Sequence, residues 1–360
     1  MKIFLFFLLT HFFALQVNAQ KKRSFDLTKF RHTEVRLEPE KSEPVALLSF
    51  SGVEVYDRRT DTSLLGFYKI SQHNKSTEGI LKTKLPASKS IQKFIEAQIN
   101  FDPQSEMKLI FIIRKLWVAK EIENKGVNDN NAKMQKALLP GVIACIEFYA
   151  KQHDTYIPLY RFDSTILHYK KKLQFINEEL LETILKESIL AISKNNYLQK
   201  IENGAKYSWA QVDSFSRQFA DRKILRATAY KKGVYSSYNE FINDQPSIMD
   251  FEIRKTTFSQ ALFVKDENGI EYPIRKIWGF SDGEHLFIKS ADLFFQLEKY
   301  NNNFYCWATK NISMVTKISA GDVFLSLATG VARASDSGRK TQAAVFLKLY
   351  QLDLETGVLY

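Results

Sequence analysis

Apolar side chains recur with helical spacing in some segments and with strand spacing in others. Ile91, Ile95 and Ile99 fall at every fourth position with Phe94 beside them. This predicts an amphipathic helix, capped by Ser88 or Ser90 and stopped by Asp102-Pro103. Leu181, Ile184, Leu185 and Ile192 line one face of a second helix, with Asn177 as its cap and Glu178 and Glu179 in its electropositive first turn. Between the helices, the runs KLIFIIRKLWVAKEI (108–122) and GVIACIEFYAKQH (141–153) predict strands, joined by a polar loop through Gly126 and Asn131. An earlier strand is expected from Val45 to Phe50, continuing through Val53 and Val55. The order strand, helix, strand, strand, helix predicts an α/β sandwich over residues 45–203.

Downstream, Ser208-x-x-Gln211 is a capping-box pattern, followed by Trp209, Val212, Phe215 and Phe219 near helical spacing. Residues 204–232 therefore read as a helical connector. From 233 to 360 the pattern changes. Ser237-x-x-Glu240 opens a short helix ending before Pro246. Brief alternating runs follow, separated by turn residues such as Asn268-Gly269 and Asp282-Gly283, which predict an antiparallel β-meander. Pro273 lies inside one run and belongs at an edge or a bulge. Residues 320–340 break the pattern and read as a long excursion. The predicted class is α+β, an α/β sandwich domain followed by a β-meander domain.

The first residues change the picture from fold to address. Lys2 precedes an apolar run from Ile3 to Leu15, and Val17-Asn18-Ala19 supplies a small-residue cleavage site. Residues 1–19 therefore predict a signal peptide cut between Ala19 and Gln20. The run is shorter than the roughly 20 residues needed to span a bilayer, and no lipid-accepting cysteine follows it. The mature chain is expected to be exported, periplasmic or secreted, without a transmembrane span. Residues 20–44 are charged, carry two prolines and read as an extended lead-in.

Charge narrows the partners. The chain has 51 Lys+Arg against 40 Asp+Glu, a net +11, and cleavage of the leader removes one lysine. In an exported protein this excess suits an envelope protein or an anionic envelope component better than nucleic acid. The basic runs, Lys21-Lys22-Arg23, Lys170-Lys171-Lys172 and Lys231-Lys232, are scattered. A nucleic-acid site concentrates such residues on one face. Cys145 and Cys306 each sit in an apolar, aromatic run and read as buried thiols.

Candidate chemistry is sparse. Gly279-Phe280-Ser281-Asp282-Gly283 matches G-x-S-x-G, the spacing of a nucleophile elbow. An elbow needs a helix after the serine, yet Leu286 and Ile288 alternate with Phe287 as a strand does. The only later histidine, His285, is too close in sequence to converge as a triad member. These residues read as a hairpin turn. Arg59-x-Asp61 and Arg161-x-Asp163 share the pattern R-x-D-[ST]-[ST]. As ligand contacts, their arginines and carboxylates would grip a polar group. As ordinary structure, each lies beyond a strand, where Asp caps the backbone. The histidines and cysteines show no metal-ligand spacing, and no phosphate-binding glycine loop is present, so no cofactor is expected.

The segments KKGVYSSYNEFINDQPSI (231–248) and IWGFSDGEHLFI (277–288) resemble a family of exported Bacteroidetes proteins of unknown function. That family shares a Gly-Val-Tyr, Glu-Phe, Asn-x-x-Pro-Ser signature and an Ile-Trp-Gly-Phe-x-Asp-Gly hairpin. The resemblance implies an envelope location and supplies no activity. More weakly, Asp57-Arg58-Arg59 with Gly66 resembles small envelope lipoprotein domains, in which a strand ending in Asp-x-Arg precedes a helix and two strands. The expected role is a non-enzymatic binding or interaction module. The alternative is a hydrolase acting on envelope carbohydrate or lipid through carboxylates.

Overall fold

β7 (Lys108–Glu123) and β8 (Leu138–Gln152) pair antiparallel along most of their length and form the spine of a seven-stranded sheet. In this computed structural model the described residues are 27, 30–37, 43–72, 75–123, 138–168, 176–255, 260–290, 293–308 and 348–360. The expected signal peptide and its Ala19/Gln20 site lie outside them. So do the loop through Gly126 and Asn131, the Lys170–Lys172 run and the 320–340 excursion. The chain divides into one unit spanning 28–221 and another spanning 222–359. Its class is α+β.

In the first unit, strands β1 (Arg31–Val35), β2 (Ala46–Leu48), β3 (Val53–Asp57), β4 (Gly66–Gln72), β5 (Lys75–Thr83) and β6 (Ile99–Phe101) precede the spine, and β9 (Thr155–Leu167) follows it. The large sheet runs β1-β5-β4-β7-β8-β9, while β3 lies parallel to the first half of β7. Gly66 lets β4 join the second half of that strand. A Cβ there would lie 2.2 Å from the Val118 carbonyl oxygen, so only glycine permits the pairing. β2 and β6 form a separate parallel pair.

One face of this sheet is covered by helices α1 (Ala87–Gln98) and α2 (Ile176–Ser193). Ile91, Phe94 and Ile95 meet Leu181, Ile184, Leu185 and Ile192 over Phe111, Ile146 and Phe148. The helical stripes of the sequence thus become one core. Their ends differ from expectation. Pro86 precedes α1 without a side-chain cap, so Ser88 and Ser90 lie within the helix, and Ile99 has already turned into β6. Asn177 lies inside α2, which begins at Ile176. The lead-in also contains β1, whose mostly exposed polar side chains leave no apolar period to read. β4 and β5 escaped prediction for a similar reason, since Lys, Ser, Thr and Glu interrupt their alternation.

α3 (Tyr197–Asn203) closes the segment before the expected connector, which itself holds α4 (Trp209–Ala220) and α5 (Lys223–Arg226), with the boundary between the units after Asp221. Ser208 and Gln211 cap α4 reciprocally: Gln211 N–H donates to Ser208 Oγ at 3.4 Å and Ser208 N–H donates to Gln211 Oε1 at 2.8 Å.

In the second unit β10 (Gly233–Tyr235), α6 (Tyr238–Ile242), β11 (Glu252–Lys255), β12 (Gln260–Lys265) and β13 (Glu271–Pro273) come first. β14 (Gly279–Ser281), β15 (Leu286–Ser290), β16 (Leu293–Tyr300), β17 (Asn303–Ala308) and β18 (Lys348–Gln351) then form an antiparallel meander, with β10 added beside β14. Leu286, Ile288, Phe295 and Leu297 pack toward α5 and α6. Phe280, Phe287 and Phe294 pack on the other face with Phe251 and Leu262. β11, β12 and β13 make a separate small sheet with Pro273 on its outer strand, where its missing N–H costs no ladder bond.

Candidate functional site

The second face of the large sheet carries charged and aromatic side chains. On β7, Leu109, Phe111 and Ile113 point into the helix-covered core, whereas Ile110 and Ile112 meet Tyr149, Tyr156 and Val212 on the other side. A register shift then occurs: Ile113 pairs with Ile146 and Lys115 with Cys145, leaving Arg114 as the extra residue of a β-bulge. A bulge re-aims a side chain. Here it brings Arg114, its side chain only 6% exposed, to Glu147 on β8, with Nη2 2.5 Å from Oε2.

Glu147 gathers further donors. Tyr149 OH donates to Oε2 at 3.1 Å and Arg161 Nη1 donates to Oε1 at 3.3 Å, Arg161 standing opposite Glu147 in the β8–β9 register. Burial and the Glu147 charge push the Tyr149 phenol up to about 12, so it stays a donor at neutral pH. Arg161 Nε also donates to Asp163 at 3.0 Å. At the far end of the face, Glu54 accepts from Tyr56, Lys108 and Lys151. Burial alone would raise its carboxyl, but the two lysines and the tyrosine outweigh that and hold it below the usual value.

Arg58 completes a row across the sheet. Its N–H donates to the Ile113 carbonyl at 2.9 Å, just past the Asp57–Ile113 pair that ends the parallel β3–β7 ladder, where Arg114 is the next residue on β7. Its guanidinium pairs with Asp213 of α4 at 2.8 Å and lies over the rings of Tyr56 and Trp209 at 5.8 and 5.5 Å. The Trp209 ring packs at a tilt against Tyr56 and Tyr156, with centroids 4.5 and 5.2 Å away, securing α4 on this face. Of the predicted stripe, Trp209 and Val212 face the sheet, whereas Phe215 is 44% exposed. Arg58, Arg114, Glu147 and Arg161 thus form a row supplied by β7, β8, β9 and the end of β3.

The two R-x-D segments do not converge. Arg59 is buried in the turn after β3, where Nε and Nη2 grip Asp57 and Nη1 donates to the Leu64 carbonyl at 2.7 Å. Asp61 accepts from Ser63 N–H at 2.8 Å, the backbone-capping role expected of it. Arg161 and Asp163 differ: they lie within β9 and not beyond a strand, and their side chains pair along it. β7 and β8 stand between the two segments. The residues missed in sequence were Arg58, Arg114, Glu147 and Asp213. Arg114 and Glu147 did leave a trace, as charges set inside runs otherwise fit for a buried strand. A buried charge requires a partner.

Ser281 is fully buried at the end of β14, and its Oγ accepts from Gly283 N–H at 3.0 Å. Asp282 caps Glu284 and His285, and the chain leaves as β15. This is a hairpin, with no helix to aim the serine. Among the described residues no group of three or more His, Cys, Asp or Glu is arranged to hold a metal ion, and no helix is long and apolar enough to cross a membrane.

No family model matches the chain, and no curated protein matches it. Among solved structures, the crystal structure of a Xanthomonas campestris protein of the family model DUF330 aligns with 51% of this chain and 98% of its own. The identity is 11% and the TM-score 0.26, a level at which two chains need not share a fold.

Proposed function

We propose that this chain is an exported protein of the bacterial envelope that acts as a non-enzymatic binding module, with the second face of its large sheet as the contact surface. The observation that carries the reading is the arginine row on that face. Guanidinium groups held by carboxylates and rings on a rigid sheet recognise anionic or polar partners without side-chain reordering. The leader pattern of residues 1–19 and the net charge of +11 support an envelope setting. So does the resemblance to exported Bacteroidetes proteins: its two signature segments meet as neighbouring strands, Val234 opposite Phe280, which gives the signature a structural reason.

The test is mild crosslinking in the native envelope, then purification and mass spectrometry of the chain's N-terminus and of everything attached. A chain beginning at Gln20 with one reproducible protein or lipid partner is the expected result. A processed chain with nothing attached would count against it. The alternative is a hydrolase acting on envelope carbohydrate or lipid through carboxylates, and Glu298 is the carboxylate to test, since burial raises its carboxyl against the opposing influence of His285. Hydrolysis of an envelope glycan or lipid that disappears in Glu298→Gln would establish that reading instead.

A further inference from the structure

We infer that Arg58 and Arg114 together form a site for a phosphate-bearing ligand on the second face of the large sheet. This rests on the binding function proposed above and names its ligand chemistry.

Each guanidinium has donors to spare. Arg114 Nη2 is bound to Glu147, but its Nη1 is buried without a hydrogen-bond partner. Arg58 bonds Asp213 through Nη2, while its Nε is likewise buried and unsatisfied. Arg59, adjacent in sequence and just as enclosed, has its Nε, Nη1 and Nη2 all engaged, so this fold can satisfy an arginine fully. A buried N–H without an acceptor is costly, and Arg58 and Arg114 each follow directly on the paired residues Asp57 and Ile113, so one acceptor between them would serve both.

The chemistry of that acceptor follows from the donors. Glu147 and Asp213 already balance the two charges, so the ligand is recognised through its hydrogen-bond geometry as well as its charge. A phosphate presents oxygens in several directions and can bridge two guanidinium groups on adjacent strands, whereas a planar carboxylate matches one fork. Tyr56 and Trp209 pack against each other and the Arg58 guanidinium lies over both rings. With a side chain 35% exposed, against 6% for Arg114, Arg58 is the arm of the site that reaches solvent.

The test uses the full mature chain with inorganic phosphate in titration calorimetry, and flotation with vesicles of phosphatidylglycerol against phosphatidylcholine. Saturable binding of phosphate, or selective binding of the phosphatidylglycerol vesicles, is expected, weakened about tenfold or more in Arg114→Gln and in Arg58→Gln. Arg58→Lys, which keeps the charge and loses the planar fork, should also bind poorly, and its circular dichroism shows whether the fold survives. A response to free phosphate assigns a soluble phosphate ligand. A response to phosphatidylglycerol alone assigns a lipid headgroup. If neither binds, or if folded variants bind as wild type does, the site is refuted. An envelope partner captured by the wild-type chain would then preserve the binding module while removing phosphate from it.

Discussion

Gly233 of β10 lies directly opposite Ser281 of β14, so the serine of the G-x-S-x-G segment belongs to a sheet register and not to an open cleft. Its hydroxyl serves the hairpin by accepting the Gly283 N–H. Ser281→Ala should therefore cost about 1 kcal/mol, the ordinary worth of one such bond, and leave any activity intact. Gly279→Ala should cost more, about 2–3 kcal/mol, because steric strain is added to a packed core. Its Cβ would stand 2.3 Å from the Phe287 carbonyl oxygen, a backbone atom that cannot step aside. Urea unfolding of both variants checks the order. An equal or reversed ranking would contradict the hairpin account.

Glu147 holds two arginines and a tyrosine, and removing it leaves the enclosed Arg114 without its counter-ion. Glu147→Ala should lose about 3–5 kcal/mol, the usual cost of breaking a buried pair from one side. Replacing both partners, as in Arg114→Met with Glu147→Leu, should recover most of that loss. A double-mutant cycle measures the coupling, and additive losses would show that the two side chains do not depend on each other.

The phenol of Tyr149 offers a pH signature. From an ordinary 10.0 it is pushed up to about 12 by burial and by Glu147. The unfolded chain releases this proton near pH 10, whereas the folded chain keeps it until about pH 12. The stability it contributes is complete below the unfolded value and is lost as pH rises through the folded one. Tyr149→Phe should therefore lose stability less steeply between about pH 10 and 12 than wild type does. Parallel curves from urea midpoints over that range would rule out the assignment.

Trp209 joins α4 to the sheet through Tyr56, Tyr156 and Arg58. Trp209→Ala should cost about 2–3 kcal/mol, less than full burial would imply because the ring is part-exposed. It should also expose residues 204–221 to limited proteolysis before the rest of the first unit. Cleavage at the wild-type rate would mean that other contacts hold α4.

Local patterns in the chain were legible wherever one segment carried its own physical reason. The stripes of α1 and α2 are apolar because each packs a single face. The Ser208–Gln211 box and the Ser237 cap on Glu240 N–H work within one turn, and Asp282-Gly283 makes its hairpin from its own side chains. Helix ends were less legible: α1 starts at a proline-capped turn, and Ile99 continues the apolar stripe while its backbone has already become β6. Polar strands such as β1 are stabilised by neighbours far away in sequence, so their own residues do not announce them.

The sequence by itself determined the α+β class, the helical stripes, the capping boxes and the turn around Ser281, because periodicity and turn chemistry act over a few residues. The tertiary structure alone decided that the Arg59 and Arg161 segments lie apart, and that Arg58, Arg114, Glu147 and Arg161 lie in one row. That row depends on the parallel β3–β7 ladder, on a one-residue bulge and on the β8–β9 register. Each is a pairing between distant segments, and a single-residue slip would turn the side chains to the opposite face.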